Sequence, residues 1–398
     1  MAKSTHPLLM EAQAIKNWLS KVRRDFHKEP ELGMEEFKTQ KKIVEHLKEM
    51  GIPYKTDVAN TAVVGIIKGS EKGKVVALRA DMDALPLEDE KTVHYKSTIK
   101  GKIHGCGHDA HMTILLGAAK LLKEREAKLK GTIKLFFQPA EETLGGAKPM
   151  IEAGVMENPT VDAVFGLHVT PETPVGKIGV KYSQMNASSD TIIITVRGES
   201  THGAYPHGGI DAIVIAGHII TGLQTIVSRN VDPRDSAVIS LGEISGGTQG
   251  NIIANKVTMR GTVRTLNPNT RDIVLDRIKL TIENIAKSMG GSAELNREEG
   301  YVALINDDAM VEVVKKNAGE ILGLRNVEII KTPSLGVEDF AYFLQKAPGA
   351  FYRLGCRNEE KGIVHEAHST LFDVDEDCLP IGVAIQVKNT LSMLEEAD

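Results

Sequence analysis

The segment His104-Gly105-Cys106-Gly107-His108-Asp109-Ala110-His111 gathers one thiol and several imidazoles around two glycines. Glycine lets a backbone turn tightly, so Cys106 and His108, two apart, could grip a single ion. A turn made only for shape uses glycine and aspartate but has no use for cysteine among histidines. A thiolate is the metal-binding form of cysteine, and a helix N-terminus following the turn would favour it through the helix dipole. Further donors sit in Arg79-Ala80-Asp81-Met82-Asp83, in Gln138-Pro139-Ala140-Glu141-Glu142, at His168, and in His365-Glu366-Ala367-His368-Ser369. Mixed sulfur, nitrogen and carboxylate ligation suits a borderline or harder divalent ion such as zinc, manganese, nickel or cobalt. Five ligands exceed the three protein ligands of a lone catalytic zinc, which implies two ions sharing a bridging carboxylate. The adjacent Glu141 and Glu142 then divide the work: one binds metal, and the other takes a proton from a water that the metal has acidified.

Each of these residues also has a plainer reading. An isolated Glu-Glu pair is usually solvated, Asp81 and Asp83 could cap a turn, and His168 could be a satisfied histidine at a strand end. His365 and His368 could idle in a loop near the terminus, and Cys356 and Cys378 are most simply buried thiols. What weighs against the plain readings is where the segments fall.

The apolar runs Val75 to Leu78, Ile133 to Phe137 and Val161 to Leu167 read as strands, and Met112 to Leu122 reads as a helix between two of them. Strands alternating with helices give an α/β layer with a largely parallel sheet, and ligands collect where the carboxyl ends of such strands converge. The three runs lead directly into Asp81 and Asp83, into Glu141 and Glu142, and into His168. After about Gly179 the pattern changes. Thr191 to Val196, Ile210 to Val227, Ala237 to Ile244, Lys256 to Thr265, Arg271 to Met289 and Ser292 to Asn296 follow the order βαββαβ, a ferredoxin-like α+β sandwich. The expected organisation is a discontinuous catalytic domain, residues 1–182 and 299–398, interrupted by an inserted domain at 183–298.

Composition narrows the partners. The 398 residues are 41% hydrophobic and 25% charged with a formal net charge of -5, which is globular and gives no basic surface for nucleic acid. The polar start Met1 to Met10 lacks the form of a secretory signal, and no run approaches the roughly 20 apolar residues of a membrane span. Three cysteines form no disulfide framework and suit a reducing cytoplasm. A small-molecule partner is expected.

With these residues in view, the chain resembles the zinc aminoacylase and carboxypeptidase superfamily. The branch concerned contains hippurate hydrolases, N-acetyldiaminopimelate deacetylases and auxin-conjugate amidohydrolases. The likeness runs nearly end to end through Arg24-Asp25-Phe26-His27, Pro30-Glu31-Leu32-Gly33, Arg79 to Pro86, Gly105 to Thr113, Phe137 to Glu142, Gly166 to His168, His202 to His207, Asn251 to Asn255, Gly261 to Arg264, Gly336 to Phe340, and His368. It implies a zinc-peptidase-like catalytic domain with a mixed, largely parallel sheet, and an inserted lid that forms a homodimer or homotetramer. It implies two divalent metal ions bound by Cys106, His108, Glu142, His168 and His368, with Glu141 as general base and Asp83 orienting a ligand. Elsewhere in the superfamily a histidine ligand stands where this chain has Asp81, and Cys106 with His108 look like its replacement. His202 matches a lid histidine that polarises the scissile carbonyl. Asn251, Arg264 and Gly336 match substrate-binding positions, where a guanidinium could pair with the carboxylate of an amino acid. The implied activity is hydrolysis of N-acyl amino acids. The alternatives are a carboxypeptidase or dipeptidase of short peptides and, further off, a non-enzymatic metal-binding protein.

Overall fold

The computed structural model describes residues 6–395 and divides into two compact units. Among the described residues, the first comprises those up to 183, 305–331 and those from 339 onward, and the second residues 184–304 and 332–338.

The first unit is built on an eight-stranded sheet. Its strands lie in the order Tyr54–Val58, Ala62–Lys68, Lys130–Gln138, Glu71–Asp81, Ala163–Pro174, Gly349–Arg357, Ile178–Val180 and Val327–Ile329. Glu71–Asp81 runs parallel to both of its neighbours, and Ala163–Pro174 runs parallel to Gly349–Arg357. The sheet is mixed because Ala62–Lys68 pairs antiparallel on either side, a hairpin arm that the apolar runs did not announce. Val75 to Asp81 are buried without a break, as expected of a central strand covered on both faces. Their ladder places Asp81 opposite Gln138, so two chemistry-bearing segments leave the sheet side by side.

Three helices supply much of the cover. His108–Lys123 is buried at every position except Lys120 and Lys123, which explains why its sequence shows no polar face. Lys16–Lys28 and Cys378–Glu395 press on it so closely that a Cβ at Gly117 would stand 2.7 Å from Leu19 and 2.6 Å from Val383.

The second unit has the βαββαβ order. Strands Ser188–Arg197, Ala237–Gly246, Lys256–Thr265 and Ser292–Glu299 form one antiparallel sheet, and helices Ala212–Asn230 and Pro268–Ser288 cover it. Alternation along Ser188–Arg197 sends Ile192, Ile194 and Val196 into a core with Ile219, Leu223 and Ile278. Asp211 caps the first helix by accepting from the backbone N–H groups of Ile213 and Val214. Ala212–Asn230 is long and apolar enough, by length and composition, to cross a membrane, which corrects the sequence-based expectation that no segment approaches such a span. Its Ile215, Ile219, Leu223 and Ile226 are buried in the sandwich core. Residues 332–338 return to this unit because Ala187 N–H donates to the carbonyls of Ser334 and Gly336.

Candidate metal centre

Two neighbouring strands deliver chemistry at their carboxyl ends, as the parallel-sheet rule requires, and the start of one helix adds more. His168 instead lies in the middle of Ala163–Pro174, because that strand runs on past the end expected at Leu167. Gly107 enters His108–Lys123 at φ 87°, where a side chain is strained, and a Cβ there would lie 2.3 Å from Val169. Only glycine lets the turn approach that strand so closely. Candidate ligand atoms of Cys106, His108 and His168 lie within 4.8 Å of one another, as do those of Cys106, Glu142 and His368, and those of His108, Glu141 and Glu142. The structure therefore brings together all five expected ligands and the expected base.

The orientation of each donor follows from its second contact. His168 Nδ1 donates to the carbonyl of Val169 at 2.6 Å, which turns Nε2 toward Cys106 Sγ as an acceptor at 3.3 Å. His108 Nδ1 lies 3.2 Å from Asp83 Oδ1, and its Nε2 is buried with no hydrogen-bond partner, 3.9 Å from Glu142 Oε1. A buried imidazole nitrogen left without a partner near a carboxylate, as His108 Nε2 is, fits a metal ligand, as does the mixed donor set. The other oxygen of Asp83 accepts from the backbone N–H of Glu142 at 2.9 Å, so one buried carboxylate aligns two candidate ligands. His368 Nε2 stands 3.1 Å from Glu142 Oε1, and its backbone N–H donates to Gly105 O.

Glu141 and Glu142 sit on a tightly held loop. Ala140 is at φ 57°, outside the comfortable range for a side chain, and its N–H donates to Glu36 Oε1 at 2.9 Å. Gly33, from the Pro30-Glu31-Leu32-Gly33 motif, lies against the same loop: a Cβ there would meet Thr143 Oγ1 at 2.5 Å. Glu36, the second of the adjacent Glu35 and Glu36, gave no signal of this role in the sequence.

The electrostatics correct one sequence argument. Burial, together with Glu142 and Glu141, pushes the Cys106 thiol well above its ordinary range, so the helix dipole alone does not make a thiolate. Burial pulls the His108 imidazole down, yet Asp81, Asp83 and Glu142 more than offset it and hold the pKa at about 10. Both effects mark a pocket crowded with negative charge, which a divalent cation would relieve.

Asp81 and His111 have ligand chemistry but are committed elsewhere. Asp81 accepts from Arg79 NH1 at 2.7 Å and from His111 Nδ1 at 2.6 Å. The Val169 N–H can only donate, so His111 Nε2, 2.9 Å away, must be the acceptor. Both nitrogens of His111 are thereby consumed, and the pair braces the His168 strand.

In the second unit the expected residues fall in two places. His202 is exposed, accepts from Ala204 N–H through Nδ1, and bridges to Ile252, beside a bond from Gly203 N–H to Asn251 O. Arg264 NH1 donates to Leu335 O at 2.7 Å, next to Gly336, whose N–H is held by Ser334 Oγ.

A sheet ending in a cluster of metal-binding donors defines a metal-dependent hydrolase of amide bonds, and comparison with known proteins agrees. Residues 77–390 match the model of peptidase family M20/M25/M40, and the chain belongs to that family. It is 42% identical over 376 residues to thermostable carboxypeptidase 2 of Saccharolobus solfataricus, covering 94% of each chain. It is 39% identical over 374 residues to the N-acetylcysteine deacetylase of Bacillus subtilis, covering 94% of this chain and 96% of that one. Among solved structures, a Bacillus subtilis protein described as a dinuclear metal binding peptidase from the M20 family superposes with a TM-score of 0.84 at 35% identity, covering 97% of this chain and all of that one. The cluster is accordingly a site for divalent metal ions.

Proposed function

We propose that this chain hydrolyses N-acyl amino acids to a carboxylate and a free amino acid, using two divalent ions, zinc, manganese, nickel or cobalt, held by Cys106, His108, Glu142, His168 and His368. The observation that carries this reading is the placing of a buried Glu141 among candidate ligands, within 4.8 Å of donor atoms of His108 and Glu142. Cys106, His108 and Glu142 each belong to more than one of these groups, so the donors form one continuous cluster that would hold the ions together. When bound, such ions lower the pKa of water and polarise a carbonyl oxygen.

The protein's own residues supply the rest. Glu141 accepts the proton of the attacking water at a carboxylate oxygen and later returns it to the leaving amine nitrogen. Asp83 holds the ring of His108 and the backbone of Glu142 in place. His202 donates to the developing oxyanion, Arg264 pairs with the free carboxylate of the amino acid, and Asn251 and Gly336 complete its recognition. The inserted domain, 183–298, serves as lid and as the contact of a homodimer or homotetramer, in a soluble cytoplasmic enzyme that needs neither nucleic acid nor membrane.

A second reading, carboxypeptidase or dipeptidase action on short peptides, is favoured by the likeness to a thermostable carboxypeptidase. Hydrolysis of N-acetyl and N-benzoyl amino acids and of dipeptides, each by protein loaded with zinc, manganese, nickel or cobalt, separates the two. Turnover of the acylated amino acids well above that of the dipeptides is expected. The reverse ranking transfers the assignment to the peptidase reading, and no hydrolysis across the panel by metal-loaded protein removes both.

A further inference from the structure

The Arg24 to His27 segment is a marked motif of the sequence, yet no part of the chemistry above uses it. In the helix Lys16–Lys28, Arg23 and His27 are one turn apart on the same face, and both side chains are fully buried. They converge on Asp109, which directly follows His108. Arg23 Nε donates to Asp109 Oδ2 at 2.7 Å, and His27 Nδ1 meets the same oxygen at 2.6 Å. Asp109 Oδ1 accepts from the backbone N–H of Ala110, so its carboxylate is fixed on both sides.

Arg23 also reaches a second segment. Its NH2 donates to Asp373 Oδ1 at 2.6 Å, and the other oxygen of Asp373 accepts from Tyr95 Oη at 2.7 Å. Asp373 lies five residues beyond His368 in the sequence. The segment between them is held at two further points, where Glu90 N–H donates to Thr370 O and Lys91 Nζ donates to Phe372 O. The second nitrogen of His27 faces Asp89 Oδ2 at 3.2 Å, on the loop that makes those contacts. One guanidinium thus ties the turn of Cys106 and His108 to the segment of His368, and one imidazole ties that turn to the loop beneath the segment. Candidate ligands from both must stay within 4.8 Å of one another in the Cys106, Glu142 and His368 group.

We propose that Arg23 and His27 are positioning residues that set the spacing between the Cys106–His108 turn and the His368 segment, and through it the affinity for metal. Neither touches the ligand cluster; both act through Asp109, Asp373 and Asp89. Groups that orient ligands from behind commonly change metal affinity by about 10–100-fold. A guanidinium is suited to this task because its diverging N–H groups serve two carboxylates at once, which an ammonium cannot do.

The inference rests on the metal reading of the cluster, and the test keeps the two apart. Asparagine places an amide nitrogen where imidazole Nδ1 stands and glutamine places one where Nε2 stands. His27→Asn therefore keeps the donor to Asp109, and His27→Gln keeps the donor to Asp89. Cobalt affinity is measured by competition with a chromophoric chelator, alongside the thiolate-to-cobalt absorption and the melting temperature, for the whole chain and for both variants. Arg23→Lys is measured in the same way. Each variant severs one end of a tie, so all three should bind cobalt roughly tenfold or more weakly than the parent, with altered charge-transfer absorption. Parental affinity in all three, whatever their melting temperatures, reduces Arg23 and His27 to stability elements and overturns the proposal. Absence of cobalt binding by the parent chain instead overturns the metal reading beneath it.

Discussion

The metal cluster and the inserted unit hold their candidate residues by opposite means. Around the cluster Cys106, His108 and Glu141 are buried, His368 alone is exposed, and second contacts fix direction: Val169 O for His168, Asp83 for His108, and Glu36 for the loop of Glu141. In the inserted unit His202 and Asn251 are exposed on loops that backbone bonds hold, and Arg264 has one bond to a carbonyl. With the roles proposed above, the difference separates two tasks. Groups that bind ions and move protons must be placed in advance, because small misplacements cost large factors in rate. Groups that recognise a ligand tolerate freedom that the ligand itself removes on binding.

The sharpest way to break that division is at Glu141. Glu141→Gln keeps shape and burial but cannot take a proton, so kcat should fall by roughly 10²–10⁴-fold while metal content stays unchanged. Loss of metal together with rate would make Glu141 a ligand and not the base. Arg264→Ala tests the other side. Removing one charge-assisted bond should lower kcat/KM by about 10–100-fold, mainly through KM, and the effect should vanish for substrates whose carboxylate is replaced by an amide. An equal loss for both substrate types would show that the guanidinium does not read the carboxylate.

His104 offers a smaller and slower readout. It is buried beside the ligand turn with neither ring nitrogen partnered, and burial pulls its pKa down to about 3. The unfolded chain takes up that proton near pH 6.5 and the folded chain does not. Stability of the metal-free protein is therefore unaffected by His104 above that pH. It declines as pH falls toward 3, by about 1.4 kcal/mol per pH unit from this group. His104→Leu should remove that part of the slope in denaturant unfolding between pH 4 and 8. An unchanged slope would place the imidazole in contact with water.

Much of the active half was legible in the sequence because its signals are local. The thiol and histidines of residues 104–111 announce their chemistry by type and spacing, and apolar runs leading into Asp81 and Glu141 name one sheet edge, whereas the strand of His168 runs on to Pro174. The βαββαβ order was readable from alternating periodicities. What could not be read is whatever pairing decides across distance. Asp81 and His111 carry ligand chemistry, and only the N–H of Val169, far along the chain, takes His111 out of contention. Arg23 meets Asp109 across 86 residues, and Glu36 meets Ala140 across 104. The thiolate argument for Cys106 failed for a related reason, since the helix dipole is a local cue whereas burial and two glutamates are products of the fold.

The measurement that bears most directly on the paired-ion reading is metal content against activity during stepwise reloading of chelator-stripped protein. Two ions per chain should bind, hydrolysis should return only as they do, and Cys106→Ser and His368→Ala should each bind less metal than the parent chain. Full hydrolysis by stripped protein, or wild-type loading in the Cys106 variant, would contradict the account.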